Sequence, residues 1–213
     1  MAFFPSSGFH YPYFFSHGKD KENIISLSFD DGPDPLLTPL ILDILKQHGI
    51  TAAFFIIGKK ISGNEDILRR MVSEGHIVGN HSWAHTNLWD FNSARRMAAD
   101  LERNISEVAK ITGVKMKLFR PPFGVINPMV ARAINKTGVK VVTWSFRSFD
   151  TVAKDPSVLL QKTTASVKAG DILLFHDTSG ITAGILENLI VSLQAEKFRI
   201  VPLVELINTQ AYE

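Results

Sequence analysis

The stretch "SLSFDDGPDP", residues 26–35, ends an apolar run with two adjacent aspartates and then turns at Gly-Pro. Neighbouring carboxylates repel each other, and both lose hydration if the site around them is enclosed. An Asx turn or a helix cap would explain Asp-Gly-Pro if it stood alone. Asp30 and Asp31 nevertheless stand where a strand should stop, so their role depends on the fold of the surrounding chain.

Apolar runs of strand length alternate with segments of helical period from this stretch to the C-terminus. The predicted strands are NIISLSF, TAAFFIIG, HIVGNH, KLFRPP, VKVVTWSF, DILLFHD and RIVPLVEL. Amphipathic segments lie between them, and the longest opens at a possible cap, Asn92. Strict alternation predicts parallel strands with helical crossovers. Because no dinucleotide-binding glycine fingerprint is present, about seven such units favour a (β/α) barrel over an open doubly wound sheet.

Composition sets limits on the class of protein. The 213 residues suit one domain, or two very small ones, and a hydrophobic content of 45% with 15 Phe is enough for a large core. A net charge of +2 argues against nucleic acid as the main partner. The absence of cysteine excludes disulfides and a cysteine nucleophile, and it leaves the redox compartment open. No apolar run approaches the roughly 20 residues of a transmembrane helix, so none is predicted.

Residues 1–23 form an aromatic-rich lead-in. Seven of the first fifteen residues are aromatic: Phe3, Phe4, Phe9, Tyr11, Tyr13, Phe14 and Phe15. One interpretation is an aromatic lid on one end of the core, and the other is the remainder of a longer chain with an upstream signal or anchor. The second would place the protein in the cell envelope or outside the cell, whereas without such a segment we expect it in the cytoplasm.

A barrel of parallel strands carries its active site at the C-terminal ends of the strands. Polar side chains follow five predicted strands at this position: Asp30 with Asp31, His81 with His85, Arg120, Asp150, and His176 with Asp177. His81 and His85 are four residues apart, a spacing that lets two imidazoles share a cation on a helical turn or tight loop. That spacing is weak evidence alone, and a carboxylate from another strand end strengthens it, since His-His-Asp leaves positions open for water and substrate.

Adjacent residues of an extended segment point to opposite sides. We therefore expect one of Asp30 and Asp31 to bind the cation and the other to face the water beside it. Gly32 and Pro33 then turn the chain away and leave the rim open.

These residues resemble the motifs of the polysaccharide deacetylases of carbohydrate esterase family 4, over roughly residues 24–205. Four segments carry the resemblance. The first begins at SFDDGPDP and continues as far as IIG, and the others are EGHIVGNHSWAH, FRPPFG and ILLFHD. It implies a deacetylase domain over residues 24–213, folded as a distorted (β/α) barrel. It also implies metal-dependent removal of N-acetyl, and sometimes O-acetyl, groups from an acetylated glycan.

Carried over by position, the resemblance implies that Asp31, His81 and His85 hold one divalent cation. Zinc is expected first, with cobalt, nickel or manganese as alternatives. Asp30 would be the general base, oriented by Arg120.

On the other side of the site, the same resemblance makes His176 the general acid and Asp150 its support. The backbone N–H of Phe123 would help to stabilise the oxyanion, and Leu174 would line the acetyl pocket.

The fourth motif, WSFRSFDT, departs from the family pattern. Trp144, which is expected to contact the substrate, and Asp150 remain, but Arg147 replaces an acid and Thr151 replaces a Trp. If Arg147 lines the groove, its guanidinium suits a carboxylate, which favours peptidoglycan over chitooligosaccharide or acetylated xylan. The other interpretation of Arg147 is an arginine in solvent or one paired with a nearby acid.

Two other functions fit parts of the sequence. An amidohydrolase acting on small non-sugar amides would share the fold and part of the metal chemistry. A non-catalytic carbohydrate-binding relative would be expected to lack the base or a ligand, and none is missing here.

Overall fold

The computed structural model describes residues 14–18 and 23–213. The strands found there are β1 (Phe14–Phe15), β2 (Ile24–Asp30), β3 (Ala53–Ile56), β4 (Ile77–Asn80), β5 (Leu118–Phe119), β6 (Lys140–Val142), β7 (Phe146–Arg147), β8 (Ile172–His176) and β9 (Arg199–Ile200). The α-helices are α1 (Leu37–Gln47), α2 (Glu65–Ser73), α3 (Ala94–Thr112), α4 (Pro128–Thr137), α5 (Pro156–Ser166), α6 (Gly180–Ala195) and α7 (Leu203–Leu206).

All the strand pairs are parallel, and their order is β1-β6-β5-β4-β3-β2-β8-β7, with β9 beside β2. Strands β6 and β7 stand near opposite ends of this order, yet only residues 143–145 connect them. Such a link spans at most about 15 Å. The sheet must therefore curl until its two ends approach each other, and the predicted (β/α) barrel is confirmed as a curled half-barrel surrounded by helices.

Strand β2 shows why the sheet has two different faces. Ile25, Leu27 and Phe29 alternate along it and pack into the apolar layer between the sheet and the helices. The residues between them, Ser26 and Ser28, are also buried but belong to neither apolar cluster of the fold. This strand therefore presents a polar row, ending at Asp30, to the inside of the half-barrel.

The half-barrel interior has an apolar floor and a polar upper end. A second apolar cluster contains Phe55 from β3, Ile172 from β8 and Leu203 from α7. Arg120 lies above this floor with its Cζ 4.1 Å from the centre of the Phe55 ring. The guanidinium group is thus packed inside the sheet rather than left in solvent.

The structure corrects three local predictions. VKVVTWSF is not one strand, because the chain leaves β6 after Val142 and re-enters the sheet as β7 on the other side of the half-barrel. RIVPLVEL is a two-residue strand followed by a helical turn, since Pro202 has no N–H to continue the ladder. The cap of α3 is Ser93, whose hydroxyl accepts from the Arg96 N–H, and not Asn92.

Part of the aromatic lead-in belongs to the sheet. Phe14 and Phe15 form β1 and pair with Val141 and Val142 of β6. The other five aromatic residues of the lead-in lie outside the described residues. Among the residues that are described, none of the helices combines the length and apolar character needed to cross a membrane.

Candidate active site

The DDGPDP loop divides two roles among its aspartates. Asp34 takes the capping role, because its Oδ1 accepts from the backbone N–H groups of Leu36 and Leu37 as the chain enters α1. Asp30 ends β2, and Asp31 follows it with a left-handed φ of 76°. The Asx-turn explanation therefore holds for Asp34, and it leaves the Asp30–Asp31 pair for other chemistry.

The two carboxylates face the same imidazole, which contradicts the alternation expected for an extended segment. His81 Nε2 lies 3.5 Å from Asp31 Oδ1 and 3.7 Å from Asp30 Oδ2. The positive φ at Asp31 turns its side chain back toward the strand end. A non-glycine residue rarely adopts this conformation, so the surrounding structure must enforce it.

The histidines complete a compact cluster of ligand atoms. His81 Nδ1 lies 2.7 Å from the Arg120 carbonyl oxygen. Because a carbonyl can only accept, Nδ1 carries the proton and Nε2 is left to bind a cation. His85 Nε2 lies 3.4 Å from Asp31 Oδ1. Burial lowers the pKa of His85, and the neighbouring His81 lowers it further, although the nearby carboxylates act to raise it. The lowered pKa favours the neutral imidazole, which is the form that binds metals.

These residues fit a divalent cation. One ligand atom from each of Asp31, His81 and His85 lies within 4.8 Å of the others. Asp31 Oδ1 is buried and has no hydrogen-bond partner, although it lies between two imidazole nitrogens. A buried carboxylate oxygen without a partner is unfavourable, and a shared cation would satisfy it. Two nitrogens and one oxygen form the kind of open site found in catalytic zinc centres.

Asp30 is held from the opposite side by a buried arginine. Arg120 Nη1 donates to Asp30 Oδ1 at 2.7 Å and to Ser28 Oγ at 2.9 Å. Its Nε and Nη2 donate to the carbonyls of Val142 and Thr143. Four hydrogen bonds, to β2 and to the end of β6, fix the guanidinium, so the Asp30 carboxylate has one defined orientation.

A histidine–aspartate pair lies across the site from the ligand cluster. His176 Nδ1 donates to Asp150 Oδ1 at 2.7 Å, and the second oxygen of Asp150 accepts from the His176 backbone N–H and from the Thr182 hydroxyl. Burial alone would lower the pKa of His176, but the hydrogen bond and charge of Asp150 outweigh it and the pKa is raised. His176 Nε2, which is left to exchange a proton, lies 4.0 Å from Asp31 Oδ2.

Comparison with known proteins identifies the family. A model described as polysaccharide deacetylase matches residues 17–142. The chain belongs to the polysaccharide deacetylase family. It is 34% identical over 196 residues to a peptidoglycan-N-acetylglucosamine deacetylase of Bacillus cereus, covering 88% of this chain and 90% of the relative.

Two further relatives agree with this assignment. The structure of Bacillus subtilis PdaA, a family 4 carbohydrate esterase, superimposes with a TM-score of 0.83 at 31% identity, covering 91% of this chain and 84% of that one. The peptidoglycan-N-acetylglucosamine deacetylase PgdA of Listeria monocytogenes is 33% identical over 182 residues, which cover 85% of this chain. This chain spans only 38% of the length of that Listeria protein. The family predicted from the motifs is confirmed.

In this member of the polysaccharide deacetylase family, one expected substrate residue lies beside the ligand cluster, and another shares a strand face with His176. Phe123 has a φ of 56°, is 50% exposed, and its ring centre lies 4.9 Å from that of His85. Leu174 is 2% exposed and stands two residues before His176 in β8, so both side chains share one face of the strand.

The other two expected substrate residues form an aromatic–arginine cluster. Arg147 is exposed, and its Cζ lies 4.9 Å from the Phe149 ring centre and 5.9 Å from that of Trp144. Among the described residues, no carboxylate lies within ion-pair distance of Arg147, so the alternative of an acid-paired arginine is not observed. Trp144 packs closely on Gly124 of the FRPPFG turn.

The sequence alone did not indicate three residues of this polar network. Ser28 accepts from Arg120, and Ser148 and Thr182 donate to Asp150. Only the alternation along β2 could have pointed to Ser28, because a buried serine inside an apolar strand is unusual. Nothing in the local sequence marks Ser148 or Thr182.

Proposed function

We propose that this chain is a metal-dependent hydrolase that removes N-acetyl groups from an acetylated amino-sugar polymer and releases acetate. The observation that carries the proposal is the convergence of two separate arrays on Asp31. The ligand cluster with the Arg120–Asp30 pair lies on one side, and the His176–Asp150 pair lies on the other.

Asp31, His81 and His85 would hold the cation, with zinc as the preferred ion for this donor set. When bound, a divalent cation supplies a Lewis acid that polarises the acetyl carbonyl and makes water more acidic. Asp30 accepts the proton of the attacking water, and the Arg120 guanidinium keeps that carboxylate in position.

Attack on the acetamide carbon builds negative charge on the carbonyl oxygen. In our proposal, the backbone N–H of Phe123 donates a hydrogen bond to that oxygen. His176 then donates a proton to the departing sugar nitrogen, and the C–N bond breaks to give an amine and acetate. Asp150 keeps the proton on Nδ1 of the ring and directs Nε2 toward the substrate. Leu174 contributes an apolar wall suited to the acetyl methyl group.

Within this reaction we propose peptidoglycan as the preferred substrate, which would place the site of action at the cell envelope. The names of the Bacillus and Listeria relatives support this choice. The exposed Arg147, whose guanidinium lies over the Phe149 ring, can offer two parallel hydrogen bonds to a carboxylate of a peptide stem, whereas chitin is neutral.

The test is acetate release by the zinc-loaded protein from peptidoglycan, chitooligosaccharides and acetylated xylan. Arg147→Ala should lower kcat/KM on peptidoglycan fragments about 10- to 150-fold, the equivalent of one charge-assisted hydrogen bond, and spare chitooligosaccharides. Lys110→Ala is the matched control, because this exposed lysine lies in the last turn of α3, at the other end of the half-barrel. An equal loss on both substrates would contradict the role of Arg147, and no acetate from any glycan would contradict the proposed activity.

A further inference from the structure

Asp177 is a buried carboxyl group that none of the proposed chemical steps uses. It follows His176 at the end of β8 and is 0% exposed. Its Oδ2 accepts from the Thr38 hydroxyl at 2.6 Å, and its Oδ1 has no hydrogen-bond partner. Burial, opposed by the Thr38 hydrogen bond, raises the pKa of Asp177 to about 7. A group so unfavourable to bury needs a structural or functional reason.

The carboxyl group packs directly on the turn that carries Asp31. A Cβ atom placed on Gly32 would lie 1.9 Å from Asp177 Oδ2 and 2.5 Å from its Oδ1. Gly32 is not among the glycines with positive φ, so an alanine could adopt its backbone conformation. The glycine of the DDG sequence is therefore required by the space that Asp177 occupies.

Further contacts hold the turn in place around this point. The Thr38 hydroxyl that donates to Asp177 also accepts from the Asp34 N–H at 2.8 Å, which ties the far end of the loop to the same carboxyl. On its other side, the Gly32 carbonyl accepts from the Ile57 N–H at 2.8 Å. The turn is thus fixed between β3 and Asp177, immediately after the left-handed residue Asp31.

We propose that Asp177 is a positioning residue for Asp31. By filling the space against Gly32 and bonding to Thr38, it keeps the turn in the one arrangement that places Asp31 Oδ1 between His81 and His85. The inference rests on the proposed metal site. It predicts that altering a residue which binds no metal weakens metal affinity.

The test compares zinc affinity among metal-free variants, titrated against a chromophoric chelator. Asp177→Ala should bind zinc about 10- to 100-fold more weakly, the usual loss for residues that orient metal ligands. Asp177→Asn keeps the size of the side chain and an acceptor for Thr38, so its affinity should stay close to that of the wild type. Asp171→Asn is the control, since this buried aspartate precedes β8 at the opposite end of the strand from Asp177 and should leave zinc affinity unchanged.

A double-mutant cycle isolates the contact with Gly32. Gly32→Ala should weaken zinc binding in the wild type, because the new methyl group meets the carboxyl, and should add little in the Asp177→Ala background. Losses that simply add would contradict the proposal, because contacting residues are expected to couple.

Folding of each variant is checked by circular dichroism and thermal melting. A folded Asp177→Ala protein with wild-type zinc affinity would overturn the positioning role and leave the metal site intact. If Asp177→Ala does not fold, Thr38→Val removes the hydroxyl that bonds both Asp177 and the Asp34 N–H, with little change in shape, and wild-type zinc affinity in that variant would overturn the role equally. A wild type that binds no zinc would overturn this proposal together with the metal site.

Discussion

Replacing Arg120 by Met removes the cation beside Asp30 in the half-barrel interior. Arg120 is fully buried and donates to Asp30 Oδ1, to Ser28 Oγ and to the carbonyls of Val142 and Thr143. Met has a similar length and can lie on the same apolar floor, so the change removes charge and hydrogen bonds with little loss of volume. The Asp30 carboxylate is then left buried without its partner.

The expected loss of stability is about 3–5 kcal/mol, the usual result of removing one partner of a buried ion pair. For a chain of this size, each kcal/mol lowers Tm by about 2–4 °C, so Tm should fall by about 6–20 °C. Most of this loss comes from the charge that remains. The double variant Asp30→Asn/Arg120→Met should therefore recover about 1–3 kcal/mol relative to Arg120→Met.

The assay is urea unfolding together with thermal melting, carried out on chelator-treated protein so that metal binding does not contribute to stability. Arg147→Met is the matched control, because Arg147 is exposed and its replacement should change stability by no more than about 0.5 kcal/mol. If Arg120→Met lost less than about 1 kcal/mol, or if Asp30→Asn gave no recovery, the buried pair would not have the role assigned to it.

Three further results are expected. Asp30→Asn should reduce turnover by about 10²- to 10⁴-fold while zinc content persists, as measured by acetate release and metal analysis, and undiminished turnover would exclude Asp30 as the base. Asp31→Asn should lose zinc as well as turnover, because it alters a ligand; full zinc occupancy would contradict that assignment. A general acid works when protonated, so activity is lost as pH rises through the pKa of His176. Because Asp150 raises that pKa, Asp150→Asn should move the alkaline limb of kcat/KM to lower pH, and an unmoved limb would exclude Asp150 as the support.

The alternation of strands and helices was enough to predict which residues meet. Asp30, His81 and His176 each end a strand or follow it directly, and the carboxyl ends of parallel strands share one edge of a sheet. Errors of a residue or two in the strand boundaries do not change that outcome. The position of the candidate site is thus a property of the topology, which the period of the sequence reveals.

The orientation of Asp31 could not be predicted in the same way. Alternation assumes an extended backbone, and the left-handed φ at Asp31 breaks it. Gly32 accommodates Asp177, which follows a strand far away in the sequence. A local pattern holds no information about such a contact, so the sequence placed this pair of aspartates at the candidate site but did not predict the orientation of Asp31.

The crossing from β6 to β7 was hidden for a related reason. VKVVTWSF is continuous in composition, and nothing in it marks the point where the chain changes neighbours. In the structure, the Thr143 N–H donates to the Phe15 carbonyl of β1, while the Thr143 carbonyl accepts from Arg120. Partners at two distant places in the chain determine where the strand ends.

Two adjacent carboxylates can be tolerated here if each has a positive partner: the Arg120 guanidinium for Asp30, and the proposed cation for Asp31. The Asp30 carboxylate faces the permanent charge of Arg120, which is built into the fold and cannot leave. Asp31 faces two imidazoles that are suited to an exchangeable cation, and its Oδ1 otherwise has no partner. In the proposed mechanism, the fixed guanidinium of Arg120 would keep Asp30 oriented as a base whether or not metal is bound, and the proposed metal site would leave positions open for water and substrate. Adjacency in sequence therefore brings the proposed base next to the proposed metal site, while the left-handed φ at Asp31 turns its Oδ1 toward both imidazoles.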